Sequence, residues 1–184
     1  MTEESSNYRP FIGSERLLLR EVRVEDAHGA YYHWMNDPEI TQYLESRFTP
    51  HSVEQLEEFV RGVQKDRRNI FLAIVLRESQ QHIGNIKLGP IDWNHRMADI
   101  GIVLGERSCW GKGIATEAIA LISQYAFDVL NLRKLNAGCY ATNGGSVRAL
   151  EKAGFHVEAV RKAHYFSHGS YVDAIQLSRF RPEA

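Results

Sequence analysis

The stretch that most constrains the fold is an apolar run followed by a glycine loop and a long amphipathic segment. Residues 100–104 are apolar, a short polar link leads into Gly111-Lys112-Gly113, and the periodic segment 114–132 follows. This order predicts a strand, a tight glycine loop and a helix. The first amide groups of such a helix lack carbonyl partners and, with the helix dipole, attract anions such as phosphates. Glycines let the backbone approach a ligand because they carry no Cβ.

The glycine loop alone is equally typical of a plain tight connection, and it does not fit the two common nucleotide motifs. In a phosphate loop of the nucleotide-hydrolase type, four residues separate the first glycine from Gly-Lys-Ser/Thr. Here five residues separate Gly105 from Gly111-Lys112, and Gly113 replaces the hydroxyl residue. The dinucleotide fingerprint fails because Thr116 occupies its third glycine position.

Length and composition favour a single soluble globular domain with a full-sized core. The 184 residues are 43% apolar and 24% charged, with a net charge of −1. We expect a loose segment over residues 1–10 and a single domain over residues 11–184. The charge balance gives no basic surface for nucleic acid, and no apolar run approaches the roughly 20 residues that span a bilayer. Cys109 and Cys139 show no metal spacing, so a reduced, cytoplasmic protein is expected.

The periodicities predict a mixed α/β (α+β layered) domain. A capping box, Ser52 to Gln55, opens one helix, and Gly154 is placed to end another. The predicted helices cover residues 25–34, a short piece ending near residue 44, and residues 52–68, 114–132 and 146–153. The predicted strands cover residues 16–22, 71–76, 83–91, 98–104 and 134–140, with a closing hairpin over residues 155–165 and 171–180.

Two motifs in this order resemble one family. The run Trp110-Gly-Lys-Gly-Ile-Ala-Thr-Glu-Ala118 is similar to the acyl-CoA pyrophosphate loop of the GCN5-related N-acetyltransferases (GNAT), in its RimJ/RimL-like ribosomal-protein branch. The run from Asn143 to Phe155 is similar to the second half of that signature. The resemblance covers nearly the whole chain. It implies a mixed, mostly antiparallel central sheet of about seven strands, flanked by about four helices.

The resemblance also implies acetyl-CoA as the acyl donor, CoA as the product and no metal. The pantetheine arm would lie against the central strand, where that strand parts from its neighbour. Asn143 is either a turn residue or a donor to a pantetheine carbonyl, and Arg148 and Lys152 either face the adenosine phosphates or form a solvated basic face. The family's usual Gln or Arg at the head of the loop is here Ser108, beside Arg107. The cofactor-binding residues implied are Ile102, Val103, Leu104, Cys109, Trp110, Gly111, Lys112, Gly113, Ile114, Ala115, Asn143, Ser146 and Arg148.

Direct transfer to an amine requires a donor for the leaving thiolate and an acceptor for the amine's proton. Many relatives have a tyrosine where this chain has Leu150, and the RimL-like branch has a serine at the position of Ser146. Ser146 is therefore the expected thiolate donor, and its position also suits a helix N-cap. Asp99 is favoured as the general base because relatives carry an acid there. Asp92, His95, Glu117 and a water relay remain alternatives.

In the family the first two helices cover the acceptor. The expected substrate-binding residues are Trp34, Asn36, Tyr43 and Asp92, although aromatic residues at these spacings also suit core packing. We expect a CoA-dependent N-acetyltransferase, monomeric or homodimeric, that binds neither nucleic acid nor membrane. Its acceptor is a peptide N-terminus or a small amine such as a polyamine, an amino sugar or an aminoglycoside. The alternative is a catalytically silent acyl-CoA-binding module, which the missing tyrosine favours and Ser146 opposes.

Overall fold

One eight-stranded sheet organises the computed structural model, which describes residues 10–182. The strand order is β1-β2-β3-β4-β5-β6-β8-β7, and neighbours pair antiparallel except for β5 with β6. The strands are β1 (Ile12–Gly13), β2 (Leu17–Glu21), β3 (Ile70–Leu76), β4 (His82–Leu88), β5 (Met97–Leu104), β6 (Lys134–Tyr140), β7 (His156–Ser167) and β8 (Ser170–Phe180). The mixed, mostly antiparallel sheet is therefore confirmed. Its eighth strand is the two-residue β1, which is too short to give a periodic signal.

Within residues 10–182, five α-helices flank the sheet, together with three short 3₁₀ segments at Val24–His28, Glu45–Phe48 and Arg107–Cys109. The predicted capping box is present, because the Ser52 hydroxyl accepts from the Gln55 amide and the Gln55 side chain accepts from the Ser52 amide. Gly154 has the left-handed φ of 88° that was expected after the last short helix. The helices are α1 (Ala30–Met35), α2 (Pro38–Thr41), α3 (Val53–Lys65), α4 (Ile114–Asp128) and α5 (Gly144–Lys152).

The predicted helices differ from the observed ones in their bounds, and for three of them the structure shows a local reason. The helix predicted over residues 25–34 is interrupted at Gly29, so a 3₁₀ turn precedes α1. Helix α3 ends at Lys65 because the Asp66 carboxylate accepts from the Arg68 amide at 3.0 Å and turns the chain. Helix α4 ends at Asp128, before Asn131 with its left-handed φ of 56°. In each case the local turn chemistry overrides the apolar period.

The sheet buries a hydrophobic layer on each face, as the alternation of side chains along a strand requires. Leu17 and Leu19 point into the layer beneath α4 and α5, whereas Leu18 between them points into the layer beneath α1 and α3. The α4 layer is the larger and includes the buried Phe155. Helix α4 is thereby fixed against the sheet with its first residue directly after the glycine loop.

Three remaining sequence expectations concern the ends of the chain, a membrane-spanning helix and the two cysteines. The predicted loose segment lies outside the described residues except for Pro10, as do the last two residues of the predicted domain. Within the described part, no helix combines the length and apolarity needed to cross a membrane. Both cysteines are buried free thiols.

Candidate active site

The candidate site begins where β5 and β6 part. The two strands run parallel but pair only from Met97 with Lys134 to Asp99 with Asn136. Beyond these pairs β5 continues to Leu104 and β6 to Tyr140, so their facing peptide groups border a gap. A cavity of about 500 Å³ occupies it. A gap of this kind suits an extended ligand arm that uses free strand peptide groups for hydrogen bonds.

The glycine loop forms the mouth of this cavity. Gly111 and Gly113 have left-handed φ angles of 73° and 76°, and Gly113 is the N-cap of α4. A Cβ at Gly111 would meet no atom within 4 Å, and one at Gly113 would meet only an Arg16 nitrogen at 3.8 Å. The side of the loop on which side chains would stand is therefore open. Helix α4 directs its unpaired first amides and positive dipole end to this point, which suits a phosphate.

Side chains from the β1–β2 turn and from α4 hold the loop in place. The Arg16 guanidinium donates to the Glu117 carboxylate and, at 3.2 Å, to the Lys112 carbonyl oxygen. The Ser14 hydroxyl donates to the same carboxylate at 2.5 Å. On the other side, the Trp110 indole N–H donates to the Leu104 carbonyl oxygen at 2.9 Å. Glu117, one of the candidate bases, is thus engaged in fixing the loop.

The start of α5 supplies the opposite wall, and here the expected cap is wrong. Asn143, not Ser146, is the N-cap: its Oδ1 accepts from the Ser146 amide at 3.1 Å. Ser146 is the third helical residue, and its hydroxyl accepts a hydrogen bond from the Cys139 thiol at 3.4 Å. Burial raises the pKa of the Cys139 thiol, so that thiol keeps its proton at neutral pH. The Ser146 hydroxyl proton therefore stays available to a group in the cavity, whose wall includes both Ser146 and the apolar Leu150.

Basic side chains stand at the same wall. Arg148 and Lys152 lie one helical turn apart on α5, and both line the cavity. Arg107, by contrast, is ion-paired with Asp37 at 2.5 Å and Glu39 at 2.8 Å. Arg107 therefore ties α2 to the segment that precedes the loop, and the charge available for an anion comes from α5.

The structure brings most of the predicted cofactor-binding residues together. All of them except Lys112 line the cavity; Lys112 contributes its carbonyl to the Arg16 contact. Those that line it are Ile102, Val103, Leu104, Cys109, Trp110, Gly111, Gly113, Ile114, Ala115, Asn143, Ser146 and Arg148.

The predicted acceptor residues are separated. Tyr43 lines the cavity and donates to the Thr142 carbonyl oxygen at 3.2 Å. Trp34 is outside the cavity wall: it is buried against Gly105, where any Cβ would overlap the indole ring. Aromatic spacing along a helix did not distinguish this packing role from ligand contact.

Two further polar residues predicted at the acceptor site have local structural roles. The Asn36 side chain makes three hydrogen bonds, to the backbone of Tyr32 and to both the amide and the carbonyl of His51. Asn36 borders a second cavity of about 490 Å³ instead. Asp92 closes the β4–β5 turn by accepting from the His95 amide at 2.8 Å. Neither side chain lines the larger cavity.

Asp99, the favoured base, lies at the last paired position before β5 and β6 part. It is exposed, and it stands two residues before Gly101, which lines the cavity on the same face of the strand. Asp99 itself does not line the cavity. His95 is exposed in the turn beyond it. Within residues 10–182, no cluster of three His, Cys, Asp or Glu side chains is arranged to hold a metal.

Sequence reasoning did not identify Tyr140, which ends β6 and lines the cavity. Its hydroxyl donates to the Glu45 carboxylate and accepts from the Arg47 guanidinium, both at 2.7 Å. The available signal was strand alternation: Tyr140 follows Cys139 and must therefore occupy the opposite face of β6.

Known proteins resemble this chain over most of its length. The family model described as an acetyltransferase (GNAT) domain matches residues 16–156. The uncharacterized N-acetyltransferase p20 of Bacillus licheniformis is 31% identical over 175 residues, which are 92% of this chain and 96% of that protein. The spermidine N(1)-acetyltransferase of Escherichia coli is 35% identical over 98 residues, about half of each chain (53% and 52%). A solved structure of the Vibrio cholerae spermidine N-acetyltransferase in complex with CoA and spermine has a TM-score of 0.81 at 25% identity and covers 91% of this chain and 97% of that one.

Proposed function

We propose, from the premise that this chain belongs to the GNAT acetyltransferase family and is an N-acetyltransferase, that it moves an acetyl group from acetyl-CoA to the primary amine of a small molecule. The observation that carries the proposal is the gap between β5 and β6 with the Gly111–Gly113 loop at its mouth. One thioester-bearing ligand with a pyrophosphate at its far end suits both features. The solved relative that holds CoA and spermine supports the same pairing of donor and amine.

The donor would be held by three groups of residues. The amides of Gly113, Ile114 and Ala115 face its pyrophosphate, where left-handed glycines leave room that a Cβ would take. Arg148 and Lys152 add positive charge beside it. The amide group of Asn143 donates to the pantetheine arm from Nδ2, because its Oδ1 is engaged as the helix cap. Acetyl-CoA supplies an acetyl carbon that is activated for attack by an amine.

Ser146 is proposed to protonate the leaving thiolate. Its hydroxyl lines the cavity in the first turn of α5, where the helix dipole also favours developing negative charge. The Cys139 thiol donates to the Ser146 oxygen and so leaves the serine proton directed elsewhere. No phenol stands at the Leu150 position to take this role.

The acceptor is proposed to be a small amine, as the names of the spermidine-acetylating relatives suggest. The ribosomal-protein N-terminus that the RimJ/RimL-like resemblance implies remains a prediction. The two buried free thiols suit a reducing, cytoplasmic location, which we propose as well.

Release of free thiol from acetyl-CoA tests this function. The purified chain is incubated with acetyl-CoA alone and with polyamines, amino sugars, an aminoglycoside and a peptide bearing a free N-terminus, and mass spectrometry follows the acceptor. We expect amine-dependent thiol release and a product heavier by one acetyl group. CoA binding without thiol release from any amine would instead identify a silent acyl-CoA-binding module.

A further inference from the structure

A hydrogen-bonded path leads from the cavity wall to solvent on the face of β6 opposite Ser146. Side chains alternate along the strand, so Cys139 faces α5 and contacts Ser146, while Tyr140 faces away. Both residues line the cavity because β5 has parted from β6 at this level. The cavity therefore has a donor side, next to α5, and a second side that ends at the Tyr140 phenol.

The phenol is tightly positioned. Tyr140 is 4% exposed and stacks on Tyr165 with ring centroids 4.2 Å apart and planes inclined by 17°. The Arg47 guanidinium donates to its oxygen at 2.7 Å and also donates to the Phe166 carbonyl oxygen at 2.7 Å. Its own proton is directed at Glu45 Oε1, 2.7 Å away. A phenol oxygen can accept two hydrogen bonds, and among residues 10–182 only Arg47 donates to this one. One acceptor position on the Tyr140 oxygen is therefore left for a ligand.

Glu45 differs from Tyr140 in its access to water. Glu45 lies in the short 3₁₀ segment after α2 and is exposed. A proton that reaches its carboxylate can pass directly to bulk water. The pair thus joins a buried tyrosine of the cavity wall to an exposed glutamate by a single hydrogen bond of ordinary length.

We propose that Tyr140 and Glu45 form the proton exit for the acceptor amine; this assignment rests on the acetyltransferase function proposed above. The amine nitrogen attacks the thioester carbonyl carbon and forms the new C–N bond. The N–H proton passes to the Tyr140 oxygen while the phenol's own proton passes to Glu45, which releases it to water. The C–S bond breaks with its electron pair on sulfur. The sulfur then gains the hydroxyl proton of Ser146, and water returns a proton to the serine.

The phenol's acidity explains why a relay is needed. Burial and the hydrogen bond to Glu45 raise the pKa of Tyr140, against the opposing effect of Arg47. The phenol is therefore neutral at the pH at which an amine is acetylated. A neutral phenol accepts a proton only if it passes its own to a neighbouring base, and the Glu45 carboxylate is that base.

Two substitutions separate the relay from a structural role. Glu45→Gln keeps an oxygen that accepts from the Tyr140 hydroxyl but cannot take its proton, and Tyr140→Phe removes the hydroxyl from a stacked ring. We expect each to lower kcat by about 10²-fold with unchanged CoA affinity, the low end of the range for a proton-transfer group. Glu45→Asp should recover part of kcat. Tyr171→Phe is the matched control, since it removes a phenol hydroxyl from an exposed β8 residue outside the cavity wall, and it should keep wild-type kcat.

A readout without turnover tests the coupling itself. The difference between the tyrosinate absorbance titrations of wild type and Tyr140→Phe isolates the Tyr140 phenol. The same difference taken in the Glu45→Gln background should titrate at lower pH, because the carboxylate no longer opposes phenolate formation.

The outcomes distinguish the relay from the function on which it rests. If the wild type releases no thiol with any amine, the acetyltransferase proposal fails and the relay with it. If the wild type is active and Glu45→Gln or Tyr140→Phe turns over at the wild-type rate, the relay alone is wrong. A rise in acceptor KM at unchanged kcat would likewise overturn it, because the pair would then only bind the amine.

Discussion

Asn143 has two functions that a pair of substitutions can separate. Its Oδ1 caps α5 by accepting from the Ser146 amide at 3.1 Å, while its Nδ2 donors are available to the cavity. Asn143→Ala removes both functions. Asn143→Ser keeps the cap, because serine and asparagine are comparable N-caps, but removes the amide donor.

The magnitudes follow from these contacts. Loss of the cap in Asn143→Ala should cost about 1 kcal/mol of unfolding free energy, which lowers Tm by about 2–4 °C in a domain of this size. Asn143→Ser should melt close to the wild type. Loss of one hydrogen bond to the pantetheine arm is worth about 1 kcal/mol, so both variants should bind CoA about fivefold more weakly.

Thermal unfolding and a calorimetric CoA titration of the three proteins measure both quantities. A stable Asn143→Ser variant that bound CoA as tightly as the wild type would refute the donor role and leave Asn143 as a helix cap alone. If Asn143→Ser instead melted like Asn143→Ala, the cap assignment would be at fault.

Two further predictions concern stability. Gly84→Ala should lower the free energy of unfolding by about 2 kcal/mol, the usual scale of overpacking, because the added Cβ would overlap the Val103 carbonyl oxygen. In the control Gly101→Ala, the added Cβ meets no atom within 4 Å, so this variant should unfold in urea like the wild type. Burial raises the pKa of Asp26, but hydrogen bonds led by that from Arg20 outweigh it and lower the pKa overall. The stability that Asp26 contributes is therefore present above its unfolded pKa of about 3.9 and is lost as the pH falls through the lowered folded value. Asp26→Asn should be less stable at neutral pH and lose less stability on acidification; an unchanged acid slope in urea melts would contradict this.

The sequence predicted the elements that local chemistry determines. Strand β6 has the predicted bounds, the Ser52–Gln55 capping box is present, and Gly154 has its expected left-handed conformation. These features depend on residues a few positions apart. The glycine loop could likewise be predicted from the sequence, because Gly111 and Gly113 supply left-handed backbone conformations that other residues rarely adopt.

What the sequence did not reveal depends on contacts between distant segments. Asn143 and Ser146 are both good caps three residues apart, and only the path of the chain after β6 decides between them. Trp34 has the spacing of a lid residue but is buried at Gly105, about 70 residues away in the chain. Glu45 and Tyr140 belong to segments with no shared pattern, so their hydrogen bond had no sequence signal.

The central claim is that the glycine loop at the start of α4 receives the pyrophosphate of acetyl-CoA. Gly113→Ala and Gly169→Ala provide a matched comparison, because the two glycines have φ angles of 76° and 80° and neither Cβ would meet a protein atom closer than 3.8 Å. Only Gly113 lines the cavity; Gly169 lies in the β7–β8 turn. Each substitution should cost about 1 kcal/mol of backbone strain, so both should melt alike.

Calorimetric titration with CoA should then separate the two variants. We predict a Kd at least about tenfold higher for Gly113→Ala, a loss of about 1.4 kcal/mol, and an unchanged Kd for Gly169→Ala. Equal CoA affinity in the two variants would contradict the assignment of the loop as the pyrophosphate site.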